Sequence, residues 1–349
     1  MRTNPMQTVY KRLSAVGLNQ KFVREVILPD WWEDRIAENP AGYAEALGLL
    51  SDSLSLDLRA LQDPNGMLEC RPFLVTRNKA RQGLHEADLA WAQCLGGRAA
   101  QLVCSAMAIP PVAVPKSALE IRHTLGKDDH LVNFETLLDY CWSLGIPVLH
   151  VSQFPSKAKK PDGMATRFGE HYAIILSKNS RYSAWLLFIL AHELAHIALG
   201  HLPENGVFVD DEKNWTTNGA EAEQTGTSPQ IREDEEKQAN DFAIELLTGQ
   251  VDTVYRLKNR LNAEGLEEAA LFFGQSYRVD PGAFVLNYVR HVPNGPYWPL
   301  ANATLKRLEP DANAIAKVHT TMRANLDWEL LSDENQEFLL RVTGSGKET

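Results

Sequence analysis

Two histidines and a glutamate inside an apolar segment are the residues of this chain best suited to chemistry. Residues 184–201 are apolar on every side of a helical wheel, yet His192, Glu193 and His196 lie in the middle of the segment. A helix that is hydrophobic all round is a buried one. Burying two imidazoles and a carboxylate is costly unless something pairs with them, and a metal ion would do so.

The spacing of these three residues supports a metal site. With about 3.6 residues per helical turn, His192 and His196 share one face and their rings can converge on one cation. Glu193 projects beside them. This pattern is the His-Glu-x-x-His zinc motif, in which the Glu is the general base for a water molecule. The alternative is a pair of hydrogen-bonded core histidines beside a helix carboxylate.

A nearby histidine, His201, does not fit the longer form of this motif. In that form a Gly lies three residues and a His six residues after the second His. Here Gly200 lies four and His201 five residues after His196. Five residues turn a helix by about 140°, which directs the His201 ring away from the metal. Gly200 therefore predicts the end of the helix, and His201 is expected in the terminal turn, interacting with the helix dipole.

The third ligand is expected from a second helix, over residues 231–247. Its apolar stripe consists of Ala239, Phe242, Ala243, Leu246 and Leu247. Glu235 and Glu236 precede Ala239 by four and three residues, so either of them could extend the stripe towards the metal. Two His and one Glu would leave a fourth coordination position for water, as catalysis requires.

The two motifs together resemble the ImmA/IrrE family of bacterial zinc metallopeptidases. The resemblance covers about residues 130–250 and implies that Glu236 is the third zinc ligand. It also implies an endopeptidase that cleaves a repressor-like or antitoxin-like protein under stress, often with a helix-turn-helix domain. Asn240 lies one turn after Glu236, where a group could orient a ligating side chain. The second motif reads Glu236, Lys237, Gln238, Ala239, Asn240, Asp241, Phe242, Ala243, Ile244, Glu245, Leu246 and Leu247.

The elements ahead of the zinc motif predict an α+β fold. Residues 133–144 are expected to form a helix, and residues 146–151 and 171–176 to form strands. Residues 163–168 are taken as the approach to the second strand. Strands just before a buried helix favour a zincin-like layer of helix on sheet, and one strand could offer a free edge to an extended peptide.

Composition shifts predict four regions along the chain. They are a helical, helix-turn-helix-like regulatory domain (1–63), a helical connector (64–115), the zinc metallopeptidase core (116–250) and a helical C-terminal extension (251–349). A turn signal at residues 63–66 and a Pro-rich stretch at 110–115 mark the first two boundaries. A polar, acidic stretch over residues 202–230 is expected to be a long surface loop.

Charge argues against nucleic acid as the main partner. The formal net charge of the chain is −10. Residues 1–63 contain 7 basic and 9 acidic side chains, and 7 − 9 = −2. A domain that reads DNA normally presents a basic face, so direct DNA binding by the N-terminal domain is not favoured.

The N-terminus and the cysteines predict a cytoplasmic protein. The first residues carry no apolar core of a signal peptide, and no segment is typical of a membrane span. The 4 cysteines include no Cys-x-x-Cys pair and are expected to be reduced.

The sequence thus predicts a Zn²⁺-dependent endopeptidase with ligands His192, His196 and Glu236 and the general base Glu193. Two other classes of function stay open. One is a non-catalytic zinc-binding sensor or interaction module, whose zinc would be closed by four protein ligands. The other is a transcriptional regulator of a toxin-antitoxin or defence system.

Overall fold

The described residues fold into an α+β structure, mostly helical with one small mixed sheet, which confirms the α+β class, while the zincin-like character of the core remains a prediction. At residues 75–76, 86–89, 206–209 and 229–232 the description is limited to the backbone. A computed structural model describes residues 4–70, 75–76, 86–127, 131–156, 158, 160–203, 206–209, 229–257, 261–293 and 296–347.

Fourteen α-helices lie in the described residues. Two of the early helices begin at Asn-Pro pairs, where the Asn side chain caps the helix and the Pro occupies its first position. The helices are α1 (Pro5–Ala15), α2 (Gln20–Phe22), α3 (Pro40–Leu54), α4 (Leu58–Gln62), α5 (Glu86–Ser105), α6 (Ala118–Leu125), α7 (Phe134–Ser143), α8 (Ser183–Ala198), α9 (Pro229–Thr248), α10 (Ala263–Tyr277), α11 (Pro281–Arg290), α12 (Trp298–Leu308), α13 (Ala314–Asn325) and α14 (Asp333–Thr343).

In the part of the chain that the structure describes, five strands form a mixed sheet in the order β1-β5-β3-β4-β2. The β3/β4 and β3/β5 pairs are antiparallel, whereas the β2/β4 and β1/β5 pairs are parallel. The strands are β1 (Val75–Thr76), β2 (Val148–His150), β3 (Gly163–Phe168), β4 (His171–Leu176) and β5 (Gly206–Val209).

Strand β3 differs from the prediction, which has only an approach to β4 at residues 163–168. It forms a hairpin with β4, in which Phe168 pairs with His171. Gly169 has φ 60° and supplies the positive φ that the first position of such a tight two-residue turn requires. This glycine, directly before the predicted strand at 171–176, is a signal from which a hairpin could have been predicted.

In the described sheet β3 has no free edge, whereas β2, one of the two predicted strands, lies at the end of the strand order. On one side β3 pairs with β4, and on the other it pairs with β5, with Met164 opposite Val209. Strand β5 comes from the segment 202–230 that was expected to be a surface loop. Residues 204–205 and 210–228 of that segment lie outside the described residues.

Helix α8 lies at the centre of the fold. It packs against α7, α9, α11, β3 and β4, so it is enclosed by both helices and sheet. The predicted burial of this helix is confirmed, since every residue from Ile189 to Ala198 is buried. Within the described part of the chain, none of the helices combines the length and apolar character that a membrane crossing needs.

Two hydrophobic clusters hold the structure together. The larger joins the N-terminal helices, the sheet, α8 and α9, and it also includes Val318 of α13 and Phe338 of α14. The smaller joins α10, α11 and α12 around Phe284, and it reaches the start of α8 at Ala184. The last two helices therefore share a core with the metal-binding region. The proposed domain boundaries remain a prediction.

The cysteines differ from the expectation. Cys70, which follows α4, and Cys94, in α5, are joined by a disulfide, whereas Cys104 and Cys141 are free thiols. The two partners are 24 residues apart in the chain. Their pairing depends on the packing of α5 against the N-terminal region, which spacing alone could not reveal.

Candidate metal centre

Helix α8 brings two imidazole nitrogens together. His192 and His196 lie one turn apart, and their Nε2 atoms are 3.0 Å apart. Both side chains are almost completely buried, because α8 is enclosed on all sides. The predicted convergence of the two rings is therefore present in the folded chain.

Helix α9 contributes a carboxylate to the same place. Glu236 Oε2 lies 3.3 Å from His192 Nε2. One ring nitrogen of His192, one ring nitrogen of His196 and one carboxylate oxygen of Glu236 all lie within 4.8 Å of one another. Such a buried group could hold a metal ion. Among the described residues, no other His, Cys, Asp or Glu joins it.

The packing of α9 explains why Glu236, and not Glu235, faces the histidines. Ala239, Ala243 and Leu246 form a buried stripe on α9, and α9 packs against α8. Glu236 precedes Ala239 by three residues and so lies on the same face of the helix. Its side chain is buried, whereas Glu235 is only half-buried. The fold thus brings Glu236 to the histidines, and its role as the third metal ligand remains a prediction.

The donor set fits a metal ion. Both oxygens of the Glu236 carboxylate are buried, and neither receives a hydrogen bond from the described residues. A buried carboxylate without a hydrogen-bond donor is costly, and a bound cation would remove this cost. Tetrahedral ligands about 2.0–2.1 Å from zinc lie roughly 3.3 Å apart. The 3.0 Å and 3.3 Å separations at His192 are close to that value.

The predicted base, Glu193, follows His192 in α8 and is fully buried against strand β3. A Cβ atom added at Gly163, the first residue of β3, would lie 2.5 Å from Glu193 Oε1. The same Cβ would lie 2.6 Å from Cγ2 of Ile189. Only a glycine at this position leaves space for the carboxylate beside the strand.

His201 is close to the site, contrary to the orientation expected for a continuous helix. It lies outside the metal-binding group, but its Nδ1 is 2.9 Å from Nδ1 of the ligand His196. Its side chain is buried, and this burial lowers the pKa of His201. His201 lies directly after the end of α8, as expected, and its interaction with the helix dipole remains a prediction.

The chain matches no protein-family model, no curated protein and no solved structure. The chemistry of the site is therefore argued from its own residues. Asn240, expected to orient a ligand, is half-buried on α9, and its role remains a prediction.

Two residues of this site were missed at the sequence level. Gly163 was overlooked because β3 was not predicted, although a glycine at the start of a strand can signal close approach of another group. The contact of His201 was overlooked because a straight helix was extended past Gly200. The positive φ that a glycine permits at a helix end was the available signal.

Proposed function

We propose that this chain is a zinc-dependent endopeptidase with a zincin-like core of the ImmA/IrrE type. The observation that carries the proposal is the buried group of His192, His196 and Glu236, with the buried Glu193 next to His192 in α8. Two histidines on one helix and a glutamate from the next agree with the two motifs of that family. A carboxylate adjacent to such a group is suited to proton transfer.

Zinc is the metal that this donor set favours. Two imidazoles and one carboxylate match the ligands of catalytic zinc sites, and three protein ligands leave a position for water. When bound, zinc polarises a peptide carbonyl and lowers the pKa of a water molecule towards neutrality. His192, His196 and Glu236 would hold the ion, and their burial would limit the access of bulk solvent to it.

Glu193 is the general base and then the general acid. Its carboxylate accepts the proton of the water that attacks the peptide carbon. It then donates this proton to the nitrogen of the leaving amine as the C–N bond breaks. The packing of Gly163 and Ile189 around Glu193 limits the positions open to the carboxylate.

The substrate we propose is an extended segment of a protein, such as a repressor or an antitoxin. Strand β3 is the strand beside Glu193, and main-chain pairing with a strand holds a peptide with little dependence on sequence. Because β4 and β5 already pair with β3, a substrate can pair with this strand only if β5 leaves its edge.

Metal content tests the site. We expect wild-type protein to bind about one zinc per chain, Glu236→Gln to lose most of it, and Glu235→Gln, the matched control, to retain it. Elemental analysis of the purified variants measures this. If Glu236→Gln retained zinc and Glu235→Gln lost it, the third ligand would be Glu235 instead of Glu236.

Cleavage tests the activity. Glu193→Gln should retain zinc but lower cleavage by roughly 10²–10⁴-fold, because the proton acceptor is removed. Quantitative proteomics of cells expressing either form would identify proteins that persist with Glu193→Gln and disappear with the wild type. Each such protein is then incubated with both purified forms. Equal cleavage by the two forms would rule out the proposed mechanism, and zinc binding without any cleavage would favour a sensor.

A further inference from the structure

The C-terminal end of α8 turns the chain back onto its own last turn. Gly200 has φ 75°, in the left-handed region that favours glycine. The Gly200 N–H donates to the Ile197 carbonyl at 3.1 Å, and the His201 N–H donates to the His196 carbonyl at 3.0 Å. These two hydrogen bonds form a Schellman motif, which packs the residue after the glycine against the last helical turn. In this chain the two side chains thus brought together are His201 and the ligand His196.

The contact between the two rings is buried and polar. The Nδ1 atoms of His196 and His201 are 2.9 Å apart, and the exposed fraction of His201 is 5%. A neutral imidazole carries one N–H and one acceptor nitrogen, so one ring must donate and the other accept. His196 Nε2 faces His192 and must be free of a proton to bind a metal. The proton of His196 therefore lies on Nδ1, and His201 Nδ1 is the acceptor.

Because His201 Nδ1 accepts a hydrogen bond, Nε2 of His201 carries the N–H. The side chain of Gln238, on α9, lies close enough to the His201 side chain to accept a hydrogen bond from it. Gln238 lies two residues after the ligand Glu236. The resulting chain of contacts runs from His196 through His201 to the helix that contributes the carboxylate. It links the end of α8 with α9 outside the group of metal ligands.

We propose that His201 is a positioning residue for the metal ligand His196. By accepting the hydrogen bond from His196 Nδ1–H, it fixes the tautomer in which Nε2 is free and holds the ring towards His192 and Glu236. The inference rests on the metal site of the proposed function, and it is independent of whether that site cleaves peptides. Groups that orient a metal-bound imidazole in this way typically contribute 10–100-fold to metal affinity.

Three variants of the full chain test the proposal. His201→Phe keeps a ring of similar shape but removes the acceptor. His201→Asn restores an acceptor oxygen near the position of Nδ1. Gln238→Leu changes an exposed residue and removes only the outer hydrogen bond. Zinc affinity is measured by competition with a chromophoric chelator, and the visible spectrum of the Co²⁺-loaded protein reports the ligand geometry.

We expect His201→Phe to weaken zinc binding by roughly 10–100-fold and to alter the Co²⁺ spectrum. His201→Asn should return the affinity to within a few-fold of wild type, and Gln238→Leu should weaken it by a few-fold. Circular dichroism of the metal-free proteins monitors the fold. Should His201→Phe fail to fold, His201→Asn and Gln238→Leu still measure the effect of the hydrogen-bond chain.

Three results would overturn the proposal. Wild-type affinity in His201→Phe would mean that the ring does not act on the ligand. Equal weakening in the Phe and Asn variants would mean that packing, not the acceptor, matters at this position. Absence of zinc binding by the wild-type protein would remove the metal site as well. Loss of peptide cleavage alone, with the zinc affinities as expected, would overturn only the proposed peptidase activity.

Discussion

At the scale of single residues, Gly163 determines whether the carboxylate of Glu193 has room against β3. The nearest neighbours of an added Cβ are the Glu193 carboxylate and Ile189 Cγ2, at 2.5 Å and 2.6 Å. Both distances are shorter than a van der Waals contact, and both partners are buried on α8. An alanine at this position therefore forces the strand, the helix or the carboxylate to move.

We expect Gly163→Ala to lower the free energy of unfolding by about 1–3 kcal/mol, the usual cost of overpacking a core. Displacement of Glu193 should also reduce cleavage at least roughly tenfold, while zinc is retained because the collision spares the ligands. Urea denaturation and elemental analysis measure the two effects. Gly48→Ala is the control, because a Cβ at Gly48 meets no atom within 4 Å. Unchanged stability in Gly163→Ala would contradict the close packing described here.

At the scale of elements, α9 is held near both ends. In its first half, Glu236 contacts His192 of α8. In its last turn, Arg122 of α6 forms hydrogen bonds with the backbone. The Arg122 guanidinium donates to the carbonyls of Leu246 at 2.9 Å and Leu247 at 2.8 Å. It also donates to the Arg278 carbonyl at 2.7 Å. A cation at this position satisfies carbonyls that a helix end leaves without partners and complements the helix dipole.

Removal of the Arg122 guanidinium should destabilise the protein. Arg122→Met keeps much of the aliphatic side chain but leaves three carbonyls without their charged donor, so we expect a loss of about 2–4 kcal/mol. Arg122→Lys should recover only part of this loss, because an ammonium group cannot reproduce the planar fork of a guanidinium. Equilibrium unfolding in urea measures both variants. Full recovery by Lys would indicate that charge alone, without the geometry of the fork, supports the end of α9.

At the scale of the whole molecule, the metal-binding group connects distant parts of the chain within the main core. His196 and Glu236 are 40 residues apart in sequence, and 236 − 196 = 40. They belong to two helices that pack directly against each other. A ligand that binds only the folded state stabilises it, and an ion bound to both helices favours their native arrangement.

Removal of the metal should therefore lower the melting temperature. At a free zinc concentration about 1,000 times the dissociation constant, binding contributes about 4 kcal/mol, which corresponds to a fall of roughly 5–10 °C on chelation. Differential scanning calorimetry with and without a chelator measures the shift. Glu193→Gln should show the same shift as the wild type, whereas His192→Ala should melt at one temperature in both conditions. A wild-type melting temperature that does not respond to zinc or chelator would argue against a bound metal.

The features that the sequence alone predicted are those that depend on local periodicity. The i and i+4 spacing of His192 and His196 defines one face of a helix wherever that helix lies, and an all-round apolar segment such as α8 is buried in any compact fold. The stripe on α9 limited the third ligand to Glu235 or Glu236 for the same reason. Strand β4 was recognised from its run of Ala173, Ile174 and Ile175.

The tertiary structure decided what depends on contacts between distant segments. Glu236 faces the histidines because α9 packs its stripe on α8, and Gly163 matters because β3 lies against Glu193. His201 contacts His196 because Gly200 reverses the chain at a positive φ, which a helical wheel does not include. Sequence periodicity describes one element at a time, whereas these contacts arise only when elements are brought together by burial of their apolar faces.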